Sequence, residues 1–120
     1  MMSVEYRNFP NNPWSIKAYQ GSVVPIPFRI MAGPSTPADL TGYTFSVRGK
    51  VSFDQDVPSF ALDNSAFALV DAKNGLASFT MPQDILNALT PGDFLTQITL
   101  INGDTVTKSQ IFTLKVLQSI

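Results

Sequence analysis

Alternation of apolar and polar residues is the clearest signal in this chain. From Tyr43 to Phe53 every second residue is aromatic, aliphatic or glycine, and Arg48 and Lys50 fall between them. Successive side chains of a strand point to opposite sides of a sheet, so this period predicts a strand with one buried and one solvated face. We therefore expect Arg48 and Lys50 to lie on a solvated or interface surface, outside the core.

Similar but shorter patterns predict strands along most of the remaining chain. The segments are 15–20, 23–31, two short strands around Asp63-Asn64, one strand carrying Ala77, Phe79 and Met81, then 94–101 and 105–117. Turn-forming residues separate these segments. Before the strand that carries Phe79, Gly75 follows Asn74 and can supply the positive φ that a hairpin turn requires.

The last two strands, 94–101 and 105–117, form a predicted hairpin whose register depends on its loop. A two-residue loop would place Leu100 opposite Thr105, whereas a three-residue loop would place it opposite Val106. A slip of one residue turns a whole set of side chains to the other face of a sheet. We predict the three-residue loop because it pairs apolar residues with apolar residues.

One short helix is predicted among the strands, at about residues 82–89. Its apolar face consists of Ile85, Leu86 and Leu89. Pro82 is tolerated in a first helical turn, and Thr80 and Gln83 have the spacing of a capping box. A helix of about two turns is not stable alone in water, so we expect it to pack as a lid over one end of the strands.

Two prolines, Pro25 and Pro27, lie two residues apart in the predicted strand 23–31. Both lack a backbone donor, and both would face the same side of the strand. The pattern predicts an edge strand, or a strand whose neighbour on that side is irregular. Two interpretations stay open, namely protection against unwanted strand pairing and a surface shaped for a partner.

Together these elements predict an all-β protein, an immunoglobulin-like β-sandwich of about seven to eight strands with one short helix. A small closed barrel is the alternative. Residues 1–13 show no period and contain several turn-forming residues, so we expect an extended N-terminal arm. Residues 14–120 are then a single domain, since the chain is too short for two.

Charged residues make up only 14% of the chain, against about 25% in an ordinary soluble domain. A weakly charged surface suits a protein that is packed against other subunits. The net charge is −1, which favours neither nucleic acid nor an anionic membrane. No segment approaches the ~20 apolar residues of a membrane helix. We therefore expect protein partners, and neither nucleic acid nor a membrane.

Catalytic chemistry has little support in the residue types. Histidine and cysteine are absent, which excludes the usual nucleophile–base pairs and thiolate metal sites. Most aspartates fall in predicted turns, where they bond their own backbone. The segment Asp54-Gln55-Asp56 resembles the start of a calcium loop but lacks the glycine and the glutamate that should follow. We expect no catalytic residue, cofactor, metal or small-molecule substrate.

Aromatic and basic residues together could indicate an oligonucleotide-binding barrel, in which bases stack on aromatic rings beside cations. In the predicted strand, however, Phe45 and Phe53 have the opposite parity to Arg48 and Lys50. The aromatic rings are therefore predicted to lie in the core, away from the cations.

Five short segments carry a resemblance to a known family: Tyr19-Gln20-Gly21, Asp39 to Tyr43, Asn74-Gly75, Pro82 to Leu89 and Pro91 to Phe94. From about residue 15 onward, this order resembles the small β-sandwich domains of tailed-bacteriophage virion proteins, such as the N-terminal domains of upper baseplate proteins and related tail components. The family often adds a long C-terminal extension for oligomerisation or receptor binding. This chain shows none, so the resemblance implies a connector or decoration unit.

We therefore expect a non-enzymatic virion structural protein of the tail, baseplate, fibre attachment or capsid surface. It would bind other virion proteins and copies of itself, as a homo-oligomer or ring, through multi-copy contacts. The alternatives are a carbohydrate-binding module, a head decoration protein and a bacterial adhesin or assembly subunit. The predicted contact residues are Tyr6, Phe9, Trp14, Pro25, Pro27, Leu117 and Ile120.

Overall fold

The computed structural model describes residues 3–6, 15–23, 25–33 and 35–119, with the backbone alone for residues 3–6 and 15. The strands in these ranges are β1 (Ser3–Tyr6), β2 (Ser15–Tyr19), β3 (Pro25–Met31), β4 (Thr44–Lys50), β5 (Phe60–Leu62), β6 (Phe67–Asp71), β7 (Leu76–Thr80), β8 (Gly92–Asn102), β9 (Thr105–Lys108) and β10 (Phe112–Leu117). One α-helix, α1 (Gln83–Ala88), and two 3-10 turns (Asn64–Ala66 and Ala72–Asn74) complete them. The predicted all-β class with one short helix is confirmed.

The strands form two sheets that pack face to face. The four-stranded sheet has the order β1-β3-β7-β6, and the six-stranded sheet has the order β2-β10-β8-β4-β5, with β9 paired to β8. Among the described pairs, β2 and β10 run parallel and the others run antiparallel. This is the sandwich architecture that the sequence predicts.

One hydrophobic core lies between the sheets, and aromatic rings connect its two sides. Phe67 of the four-stranded sheet stacks on Phe45 of the six-stranded sheet, with ring centroids 5.2 Å apart. The same ring lies 5.7 Å from Phe79 and 6.1 Å from Phe28. Burial of one such ring stabilises a fold by about 1.5–3 kcal/mol, so this cluster is a main source of stability.

Strand β4 is shorter than the period predicts. Phe45, Val47 and Gly49 face the core as expected, but the strand ends at Lys50 and the next residues turn away. Ser59 N donates to Gly49 O at 2.7 Å, which closes the following loop on the end of the strand. Phe53 is consequently 71% exposed, and the prediction that it lies in the core is wrong.

The predicted register of the final hairpin is also wrong. Asn102 pairs with Thr105 around a two-residue turn, so Leu100 lies opposite Thr107. Gly103, the first residue of this turn, has φ +61°, which suits a turn of type II′. The turn geometry therefore decides the pairing, although it places Val106 on the exposed face.

The expected long last strand is divided by an irregularity at Ser109. The hydroxyl of Ser109 accepts a hydrogen bond from Ile98 N at 3.0 Å, in place of a backbone carbonyl. Beyond this point the register with β8 shifts by one residue, and Phe112 lies opposite Thr96. The shift returns Phe112 to the core and leaves Ile111 39% exposed.

The two prolines of β3 lie beyond the part of the strand whose pairing with β1 is described. Ile30 N donates to Gly75 O at 2.9 Å, so even-numbered residues of β3 direct their backbone groups toward β7. Pro25 and Pro27 therefore turn their nitrogen atoms to the β1 side, where the described pairing covers only Phe28–Met31. β3 lies between β1 and β7, so the edge-strand alternative is wrong. Irregular pairing on the proline side stays a prediction, because the positions opposite Pro25 and Pro27 in the register with β1 lie outside the described residues.

Helix α1 covers one end of the sandwich through the predicted apolar face, with Leu86 and Leu89 buried. The capping box is wrong, because Thr80 still belongs to β7 and Pro82 is the N-cap without a side-chain hydrogen bond. The helix is held instead at its other end. Gln20 Nε2 donates to the carbonyl oxygens of Leu86 and Leu89, at 3.2 and 2.7 Å.

Candidate interaction surfaces

The predicted contact residues do not form one surface in the described part of the chain. Pro25 is exposed and Pro27 half-buried in the four-stranded sheet, whereas Leu117 lies half-buried in β10 of the six-stranded sheet. Tyr6 is known by its backbone, which pairs with Phe28. Phe9, Trp14 and Ile120 lie outside the described residues.

The loop between β4 and β5, residues 51–58, presents a group of apolar side chains to solvent. Val51 is 63% exposed, Phe53 71% and Val57 74%. Single exposed apolar residues are ordinary, but three in one loop form a patch of the kind that marks contact with another molecule. We call this segment the apolar loop.

Hydrogen bonds from one side chain hold the apolar loop in shape. Gln55 Oε1 accepts from Val51 N at 2.8 Å, and Gln55 Nε2 donates to Val57 O at 2.7 Å. The same nitrogen lies 3.0 Å from Ser59 Oγ, at the start of the return to β5. The exposed side chains therefore project from a loop with defined internal bonding, which lowers the entropy lost when a partner binds.

A groove on the outer face of the six-stranded sheet adjoins the apolar loop. It has a volume of about 170 Å³, and its lining consists of Arg48, Lys50, Phe53, Leu95, Gln97, Lys108 and Ile111. Three cations thus share a concave site with an exposed aromatic ring. We call this site the basic groove.

Two departures from the predicted pattern create the basic groove. The early end of β4 moves Phe53 from its expected core position to the side of Arg48 and Lys50. The register shift after Ser109 exposes Ile111 beside Lys108. The parity argument placed the aromatic residues opposite the cations and so missed the site. The run of turn-forming residues after Phe53 was the one available signal that the strand could stop early.

Four exposed aspartates lie in or beside the loops at the other end of the sandwich, and we call this surface the acidic end. They are Asp39, Asp63, Asp71 and Asp104. Hydrogen bonds join their loops to one another and to the sheet: Leu40 N donates to Ala72 O at 2.8 Å, and Phe45 N donates to Asn64 Oδ1 at 3.0 Å. The four carboxylates are therefore carried by loops with fixed mutual positions.

The turn between β8 and β9 completes the acidic end. A Cβ on Gly42 would lie 3.7 Å from Asn102 Nδ2, so the loop after Asp39 touches this turn. Lys73 is the cation close enough to act on Asp39. Beside Asp104, the side chains of Ile101 and Val106 are 36% and 59% exposed, and the acidic end thus also carries apolar surface.

Hydrogen bonds keep two of these carboxylates in the ionised form. The hydroxyl and the backbone N–H of Thr41 donate to Asp39 Oδ1 at 2.7 and 3.0 Å, and they lower the pKa of Asp39. Ser65 bonds Asp63 in the same way through its hydroxyl and its N–H, and the pKa of Asp63 is also lowered. Both groups favour the charged state because donors stabilise a carboxylate.

The described residues offer neither a metal-binding cluster nor a membrane-spanning helix. Within 3–6, 15–23, 25–33 and 35–119, no group of three or more acidic side chains is arranged to hold a metal ion. None of the helices described in those ranges is long and apolar enough to cross a membrane.

Comparison with known proteins finds similar folds but no matching sequence family. No family model and no curated protein matches the chain. Among solved structures, the N-terminal domain of phage TP901-1 ORF48 is similar with a TM-score of 0.60 and 14% identity, over 97% of this chain and 95% of that one. At this identity the likeness shows a shared fold.

Two further structures show how widely the same sandwich occurs. An endo-β-1,4-mannanase from Thermotoga petrophila matches with a TM-score of 0.54 and 9% identity, and a marsupial T cell receptor with 0.51 and 13%. The matches cover 99% and 100% of this chain, but it spans only 20% of the mannanase chain and 53% of the receptor chain. The immunoglobulin-like sandwich is thereby confirmed.

Proposed function

We propose that this chain is a non-enzymatic structural protein of a bacteriophage virion. It acts at the tail, the baseplate, a fibre attachment or the capsid exterior, through contacts with other virion proteins and with copies of itself. The observation that carries the proposal is the match to the phage TP901-1 ORF48 domain along nearly the whole of both chains. The mannanase and receptor matches cover only a part of those longer chains.

The surface supports a role in assembly. The apolar loop exposes Val51, Phe53 and Val57 from a conformation that Gln55 fixes. An ordered apolar patch on a chain with few charges is suited to a contact with a buried apolar centre and a polar rim. The absence of histidine and cysteine removes the commonest catalytic groups, which agrees with a structural role.

The test is the composition of purified phage particles from a host that carries the gene. We expect mass spectrometry to find the chain in stoichiometric, multi-copy amounts. We also expect a deletion of the gene to give particles that lack a defined density in electron microscopy. Complete particles that form in normal yield without the chain, and never contain it, would contradict the proposal.

Carbohydrate binding is the second candidate, because Phe53 shares the basic groove with polar Arg48 and Gln97. An exposed ring beside hydrogen-bonding groups is a common arrangement for contact with a sugar. Binding of the isolated chain to a glycan array, followed by titration with any glycan that binds, distinguishes the two functions. Micromolar binding that Phe53→Ala abolishes would favour this candidate.

A further inference from the structure

The lining of the basic groove is positively charged. Arg48, Lys50 and Lys108 line it, and none of its seven lining side chains is acidic. Within the described part of the chain these three cations form no ion pair, whereas Lys115 on the same sheet pairs with Asp93 at 3.6 Å. Such a site attracts a negatively charged partner.

The acidic end has the complementary composition. It carries four exposed aspartates, and hydrogen bonds lower the pKa of Asp39 and Asp63. It also exposes Ile101 and Val106, which can meet the exposed apolar residues of the basic groove. Opposite charges around an apolar contact are the usual anatomy of a specific interface.

We propose that the basic groove of one copy of this chain receives the acidic end of a second copy. The contact rests on the proposed function, because it specifies how the copies meet in a multi-copy assembly. The groove lies beside Leu95, near the start of β8, and the acidic end lies beyond Asn102, where β8 finishes. Each copy therefore offers both surfaces, toward opposite ends of the sandwich.

This geometry determines the kind of assembly. A contact between two different patches is heterologous, so every added copy presents a free groove or a free acidic end. The copies close into a ring if the rotation between them permits it, and form a filament otherwise. A two-fold contact of groove against groove would instead bring like charges together, which is unfavourable.

Charge reversal on either side tests the contact. Arg48→Glu with Lys50→Glu reverses the groove, and Asp71→Lys with Asp104→Lys reverses the acidic end. We expect the wild-type chain to associate in sedimentation velocity experiments, and 0.5 M NaCl to weaken the association by screening. Each double variant alone should associate about 100-fold more weakly or not at all, since like charges then meet.

Mixing the two variants is the decisive measurement. The groove-reversed variant keeps a native acidic end, which fits the native groove of the variant with the reversed acidic end. The reversed groove and the reversed acidic end also carry opposite charges and fit each other. We expect the equimolar mixture to regain association, with the two chains alternating. The matched control is Lys17→Glu with Lys115→Glu, which changes the charge of the same sheet equally outside the groove and should leave the association unchanged.

Folding is checked for every variant by circular dichroism and thermal melting. If a reversed variant does not fold, the neutral substitutions Lys50→Gln and Asp104→Asn replace it, and each should still weaken association about tenfold. A wild-type chain that stays monomeric at millimolar concentration overturns the proposal. So does association that neither reversal alters, or a mixture that remains monomeric.

The same data separate this contact from other occupants and from the proposed function. Heparin that binds a monomeric wild-type chain through Arg48 and Lys50 would assign the groove to an anionic polysaccharide and overturn the contact. If the chain is present in particles but the reversed variants associate as the wild type does, the virion function stands and the contact fails. The opposite result is also possible. If association is salt-sensitive and is restored by mixing the variants, but the chain is absent from particles, the contact stands and the virion function fails.

Discussion

The turn at residues 71–75 and the apolar loop at residues 51–58 both connect strands at the rim of the sandwich, but they use their residues differently. In the turn, Gly75 lies so close to the backbone that a Cβ would overlap Ile30 O. In the apolar loop, hydrogen bonds of Gln55 support side chains that face solvent. The turn packs against the fold, whereas the loop holds apolar side chains out in solvent. An exposed apolar surface of this kind supports the proposed contact with a partner.

Substitution of Gly75 should give the largest effect. Gly75→Ala places a Cβ against Ile30 O and Ala38 O at a residue with φ +73°. We expect a loss of roughly 2–5 kcal/mol in the free energy of unfolding, measured by urea denaturation, from the overlap and the backbone strain together.

Gly103→Ala is the matched control for this prediction. Gly103 also has a positive φ, +61°, but a Cβ there would meet nothing within 4 Å. Only the backbone preference is lost, so we expect a destabilisation of about 1 kcal/mol. Equal losses for both substitutions would show that the packing around Gly75 is not what makes glycine necessary.

The second-largest loss of stability should come from detaching the end of helix α1. Gln20→Ala removes two hydrogen bonds to the end of α1, from Gln20 Nε2 to Leu86 O and Leu89 O. We expect a loss of about 1–2 kcal/mol in thermal denaturation. Gln118→Ala is the control, because this exposed glutamine forms no hydrogen bond within the described residues. The interpretation fails if the two variants melt alike.

A smaller effect should depend on pH. The unfolded value is near 3.8 and hydrogen bonds lower the folded pKa of Asp39 and Asp63, so the unfolded chain binds more protons in acid. Their contribution to stability is present above the unfolded pKa and is lost as the pH falls through the folded pKa.

Asp39→Asn should therefore flatten the decline of unfolding free energy below about pH 4, as measured by urea denaturation at several pH values. Asp56→Asn serves as the control, since this exposed carboxylate accepts no hydrogen bond from the described residues. An acid decline that Asp39→Asn leaves as steep as before would contradict the assignment.

The smallest change in stability should come from the apolar loop. Phe53→Ser removes a ring that is 71% exposed, and we expect the free energy of unfolding to change by no more than about 0.5 kcal/mol. Incorporation into particles should nevertheless fall. Phe79→Leu is the contrasting variant, because that ring is fully buried and its change should lower stability without altering the outer surface. A marked loss of stability in Phe53→Ser would assign the loop to the fold.

Local patterns predicted the interior better than the surface. Phe45 and Val47 are buried because strand periodicity and burial coincide in the middle of β4. The same period failed at Phe53, since a period cannot tell where a strand stops when the chain folds back through Ser59. The hydroxyl of Ser109 accepts the hydrogen bond of Ile98 N in place of a backbone carbonyl, and the register shifts there. That shift depends on the neighbouring strand β8, which the local sequence does not reveal. The basic groove arises at these two irregular places, so it could not be read from periodicity.

By itself the sequence determined the all-β class, the two-faced strands, the helical lid and the positive-φ turn at Gly75, because each depends on residues that are neighbours along the chain. Only the tertiary structure decided which strands pair, where β4 ends and how Gln20 holds a helix more than sixty residues away. It also decided that three scattered cations line one groove while four aspartates gather at the far end. Those arrangements are contacts between distant segments, and their energies depend on pairing and packing that no local pattern contains.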